Sequence, residues 1–148
     1  MDDKIKKIKI LIVDSDEMMR IYFRDIFWIH GRSNEYEVLM ASTLEEAEKI
    51  ISDKNTCPDT IFLDIIMSPK KSHISAFEIT RCIDFVSKIK NNKDLNQVKI
   101  ILYSGHKEEA LKSNLSKIGI DGFLIKGESM PKEIIAFTDK IHGTRTNN

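Results

Sequence analysis

Four short apolar runs in this chain each end on a residue able to do chemistry. Ile8–Val13 runs into Asp14, Thr60–Leu63 into Asp64, Ile100–Tyr103 into Ser104, and Phe123–Ile125 into Lys126. Short runs of β-branched and aromatic residues bounded by polar ones predict buried strands. Stretches with apolar residues at helical spacing lie between them, and strand–helix alternation predicts a parallel sheet with helices on both faces. Ligands of such sheets sit beyond the carboxyl ends of the strands. Two carboxylates, a hydroxyl and an amine should therefore converge on one crevice, an inventory suited to magnesium-assisted chemistry on phosphate.

The intervening segments support that reading. Residues 16 to about 30 carry Met19, Phe23, Ile26 and Phe27 at helical spacing, with Arg20, Arg24 and Asp25 on the other side. Gly31–Asn34 is a stop, Tyr36–Ala41 a second strand, and Ser42 or Thr43 caps a helix through about Ser52, with Glu45 and Glu46 in its first turn. Residues 65–74, with Pro69 and Lys70-Lys71, form a long surface loop. A helix follows from Ser75 to about Asn92, its apolar positions being Phe77, Ile79, Ile83, Val86 and Ile89. Lys107–Lys117 is a further helix that Gly119 ends, and Pro131 opens the last, with Ile134, Ile135, Phe137 and Ile141 on its buried side. The count is five strands alternating with five helices in one domain over 1–148, its core at about 8–142 and a frayed tail at 143–148.

The totals narrow the function classes. At 148 residues, 41% apolar and 31% charged, the chain is long enough for a real core and too apolar for disorder. Net charge is zero, so nothing favours nucleic acid or a membrane surface. No apolar stretch nears the ~20 residues of a membrane span. Met1–Lys4 leads almost directly into the first strand without room for a signal peptide, which makes the cytoplasm the expected address. Cys57 and Cys82 lack ligand or redox spacing and read as reduced packing residues. Met18, Ile21, Tyr22 and Trp28 read as core and rim, and His30, His73 and His142 as surface.

Asp14, Asp64, Ser104 and Lys126, in this order and each at a strand end, resemble the receiver domain of bacterial two-component response regulators, of the single-domain, chemotaxis-regulator-like kind. The likeness runs from Ile8 to Ile141 and is carried by ILIVD (10–14), FLDIIM (62–67), IILYSG (100–105) and GFLIK (122–126). It implies an α/β flavodoxin-like (βα)5 fold with a five-stranded parallel sheet in the order 2-1-3-4-5. It implies that Asp64 takes a phosphoryl group from a phosphohistidine of a sensor histidine kinase or histidine phosphotransfer protein. Mg²⁺ would be held by Asp64, Asp14 and the Ile66 backbone carbonyl, with Asp16 a further candidate. Lys126 would pair with Asp64 and then with a phosphoryl oxygen. Ser104 would donate its hydroxyl to the phosphoryl group, drawing the loop at Gly105 inward, and Phe123 would fill the vacated space. His106 stands where the family tunes dephosphorylation, though a solvated loop histidine is its plainer description. The chemistry implied is self-catalysed phosphoryl acceptance with slow autodephosphorylation, not enzymatic turnover. The signal would leave through the helix at 107–117, the fifth strand and the last helix, toward an unidentified protein target or a second copy of the chain. No helix-turn-helix segment reads DNA here, so protein contact is the expected output.

The chain departs from that family at several positions. Ser15 stands where a second metal-ligating acid is usual, Gly127 where proline is usual, and Ser75 where glycine is common. The loop after Asp64 is about three residues longer than usual by the same comparison. Ser15 keeps open a receiver-like interaction module that is never phosphorylated. A remoter alternative takes Asp14-Ser15-Asp16 as the Asp-x-Asp of haloacid-dehalogenase-type phosphatases. That reading lacks the family's later acidic pair and leaves Asp64 without a role.

Overall fold

Five strands pair in the order β2-β1-β3-β4-β5, every neighbouring pair parallel. The computed structural model describes residues 6–31, 35–64, 76–104, 113, 115–125, 128 and 131–142. The elements are β1 (Ile8–Val13), α1 (Glu17–Ile29), β2 (Tyr36–Ala41), α2 (Leu44–Ser52), β3 (Thr60–Asp64), α3 (Ala76–Lys90), β4 (Lys99–Ser104), β5 (Gly122–Ile125) and α4 (Pro131–Ile141). The expected α/β sheet order is the one observed. The loop at 65–74 and most of the helix expected at 107–117 lie outside the described residues. Within the latter, Ser113, Leu115 and Ser116 are helical, and Leu115 is fully buried.

Strands covered on both faces read as continuous apolar runs. Ile10, Leu11, Ile12 and Val13 are all inaccessible to water. Side chains alternate across each strand, so the core divides into two layers. Leu11, Val13, Ile61, Leu63, Ile100 and Leu102 pack with Ala47 and Ile51 of α2 and with Phe85, Val86 and Ile89 of α3. Ile10, Ile12, Phe62, Ile101 and Tyr103 pack with Phe23, Ile26 and Phe27 of α1 and with Ile134 and Ile135 of α4.

Helix boundaries follow from caps. The Asp16 side chain accepts the Met18 amide and starts α1 at Glu17. Thr43 Oγ1 accepts the Glu46 amide at 3.1 Å while Glu46 Oε2 takes the Ser42 amide at 2.8 Å. The Glu46 carboxyl is held below its usual range, first by that backbone hydrogen bond. Gly119, at φ +95°, occupies the left-handed region where a side chain would be strained, as expected of a helix terminator. At the same, amino-terminal end of the strands, Asp59 Oδ2 accepts the Lys9 amide at 2.8 Å and pins β1 against the start of β3.

Three sequence expectations need correction. Met18 (72% exposed), Tyr22 and Trp28 (69%) lie on the outer side of α1, because Phe23, Ile26 and Phe27 fill the stripe facing the sheet. Phe77 is exposed at the start of α3, with the Arg81 guanidinium 5.9 Å from its ring centre, while Cys82 and Phe85 join the expected Val86 and Ile89 on the buried side. His142 is half-buried, its ring bonded to the Thr60 hydroxyl, whereas His30 is exposed as expected and His73 lies outside the described residues.

Candidate functional site

The strand registers bring the candidate acids to one edge. Val13 pairs with Leu63, so Asp14, the next residue, lies alongside Asp64 at the end of β3. Asp14 is fully buried and Asp64 is 4% exposed. Two carboxylates hidden side by side are costly unless donors or a cation compensate them. The Asp14 amide continues the ladder to the Ala41 carbonyl at 3.1 Å, and Asp14 Oδ1 accepts the Asp16 amide at 2.9 Å. Oδ2 accepts the Tyr103 hydroxyl at 2.6 Å. Arg20 Nη1 donates to the Asp14 carbonyl at 2.6 Å, tying α1 to the strand end and bringing a guanidinium near the acids.

Asp64 pairs in register with Tyr103 of β4, and Ser104 pairs with Ile125 of β5. The backbone of Ser104 is therefore at the same edge, and Lys126 follows one step beyond Ile125. Phe123, opposite Leu102, is half-buried against the layer covered by α2 and α3. Ser15 is half-buried; Asp16 is exposed, and its Oδ1 is engaged by the Met18 amide. Ile66, Gly105, His106 and Lys126 lie outside the described residues. Among the described residues no group of three or more His, Cys, Asp or Glu side chains could hold a metal. The donor set is a pair of carboxylates, the hard oxygen ligands that Mg²⁺ prefers, and backbone oxygen and water complete its shell in proteins.

Sequence reading missed Tyr103. Burial, the Asp14 charge and the hydrogen bond to it push the phenol far above its ordinary pKa, so it stays a donor at every physiological pH. In the sequence it is the last residue of the apolar run Ile100–Tyr103. A buried tyrosine nevertheless needs a partner for its hydroxyl, and its place beside Ser104 was the available signal. Cys82 of α3 is also near enough for the Asp64 charge to act on it. Burial first, and that charge second, push its thiol up to about 12.

Residues 10–138 match the response regulator receiver domain family. The chain belongs to that family. Solved structures similar to this receiver include a response regulator from Thermotoga maritima, at TM-score 0.71 and 16% identity over 92% of this chain and 98% of that one. The chemotaxis protein CheY4 of Vibrio cholerae gives TM-score 0.70 and 18% identity, with 92% and 99% covered. The phosphorylated cyanobacterial phytochrome response regulator RcpA gives 0.73 and 14%, with 95% and 98% covered. Among curated proteins, the two-component response regulator-like APRR7 of Arabidopsis thaliana is 26% identical over 122 residues, 82% of this receiver and 15% of that protein. The receiver thus spans about 15% of that relative's length. No described helix of the receiver is long and apolar enough to cross a membrane.

Proposed function

We propose that this receiver takes a phosphoryl group on Asp64 from a phosphohistidine of a sensor histidine kinase or phosphotransfer protein. The observation carrying the proposal is the Asp64 carboxylate, 4% exposed at the carboxyl edge of a parallel sheet, beside the buried Asp14. A carboxylate oxygen of Asp64 attacks phosphorus, the P–N bond to the donor imidazole breaks, and the imidazole leaves with that electron pair. Such transfer needs positioning and charge neutralisation more than acid–base groups. Asp14, Asp64 and the Ile66 carbonyl would hold Mg²⁺, which when bound neutralises charge on the phosphoryl oxygens. Lys126 and Ser104, one step past β5 and at the end of β4, supply a cation and a hydroxyl to the same oxygens. Phe123 answers the movement of Ser104. The receiver is a switch that turns over only its own acyl phosphate. It signals through the face of the 107–117 segment, β5 and α4 to a protein target or a second copy.

One observation favours the unphosphorylated interaction module. Asp16, the nearest substitute for the acid absent at Ser15, spends an oxygen on the Met18 amide. Intact mass after incubation with acetyl phosphate and Mg²⁺ decides between the two. A gain of one phosphoryl group, absent with chelator and in Asp64→Asn, supports phosphoacceptance. No gain at any magnesium concentration supports the inert module.

A further inference from the structure

We infer that Tyr103 is a positioning residue of the acidic site: its phenol reaches from β4 past β3 and holds the Asp14 carboxylate in the orientation that receives a cation. The inference rests on the phosphoacceptor reading and adds to it a residue from the middle of the fold. β3 separates β4 from β1. Neighbouring strands lie ~4.8 Å apart, so the backbones of Tyr103 and Asp14 are on the order of 9–10 Å apart. Only a long side chain bridges that gap, and it must cross the position of Asp64, the register partner of Tyr103. Tyr103 Oη ends 2.6 Å from Asp14 Oδ2.

The phenol is a fixed point. Tyr103 is 1% exposed, and its ring lies 4.6 Å from that of Phe23, centre to centre. Phe23 is itself wedged against Phe62 at 5.5 Å. Oδ1 of Asp14 is held from the other side by the Asp16 amide at 2.9 Å. Two donors on different oxygens, the Tyr103 hydroxyl and the Asp16 amide, set the plane of the Asp14 carboxylate. Mg²⁺ demands near-ideal octahedral geometry. With Ser15 in place of a second acid, orientation of Asp14 matters more here than where two acids follow the strand. Partners that orient a metal ligand typically carry about 10–100-fold of affinity.

The test is Mg²⁺ affinity of the full chain by titration calorimetry, for wild type and Tyr103→Phe, with far-UV circular dichroism to verify the fold. Tyr103→Phe keeps the ring among Phe23 and Phe62 and deletes only the hydroxyl. At least about tenfold weaker binding with an unchanged fold supports the inference. Any smaller loss, including equal or tighter binding, overturns it and leaves the phosphoacceptor reading standing. Absence of Mg²⁺ binding in the wild type overturns that reading itself. Should Tyr103→Phe fail to fold, wild-type protein labelled at tyrosine ¹³Cζ gives a second readout. The Tyr103 resonance, assigned by elimination with Tyr22→Phe and Tyr36→Phe, should shift with the same midpoint as the calorimetric titration. No shift at saturating Mg²⁺ overturns the inference.

Discussion

Asp14 and Asp64 were legible together with Ser104 and Lys126. One polar residue ending a strand can simply serve turn amides, as Asp14 does for Asp16, but four reactive residues each ending an apolar strand are a poor coincidence. Tyr103 was not legible, since an aromatic residue inside such a strand looks like core until the sheet order shows what its hydroxyl can reach. Cys82 shows how this environment acts on an uncharged neighbour. Its thiol is raised from 9.0 to about 12, so the folded protein keeps the proton where the unfolded chain loses it. The stability this represents is complete below pH ~9 and is lost as pH rises toward ~12, because above pH ~9 the unfolded state binds fewer protons. Denaturant unfolding should therefore show stability falling by up to ~1.4 kcal/mol per pH unit above pH ~9. Cys82→Ala should flatten that fall. The half-buried Cys57, also raised by burial, and Tyr103 act in the same direction. In native protein near pH 8, a chromogenic disulfide should label Cys57 slowly and Cys82 only after unfolding.

At the scale of elements, boundaries were legible wherever a side chain caps a backbone end. Thr43 shows this at α2, and Thr43→Ala should cost about 1 kcal/mol in denaturant unfolding. The inner stripe of α1, with Phe23, Ile26 and Phe27, was legible from its helical spacing; the apolar outer side left by Met18, Tyr22, Trp28 and Ile29 was not. Close approach was invisible in sequence too. At Gly122 an added Cβ would overlap the Phe137 ring, so β5 and α4 meet where any side chain would have to displace that ring. Gly122→Ala should destabilise by about 1–3 kcal/mol, and Phe137→Leu in that background should restore part of the loss.

For the whole molecule, the sheet order was an expectation from resemblance, and the registers realise it. Alternation alone established a parallel sheet with helices on both faces but left the order of its strands open. The order matters because it sets β1, β3 and β4 side by side, with Asp14, Asp64 and Tyr103 in successive strands on the side covered by α1 and α4. If those acids bind Mg²⁺ only when the chain is folded, the metal stabilises the whole domain by linkage. Millimolar MgCl2 should raise the thermal midpoint of the wild type, chelator should reverse the rise, and Asp64→Asn should abolish most of it. Scanning calorimetry in the two buffers measures this directly.

The most direct measurement of the central claim is where the phosphoryl group sits. After reaction with acetyl phosphate and Mg²⁺, borohydride reduces an aspartyl phosphate to homoserine, and peptide mass spectrometry finds the residue changed. The expected result is homoserine at position 64 and nowhere else. Homoserine at position 14 with Asp64 untouched would contradict the account and point to Asp14 as the nucleophile.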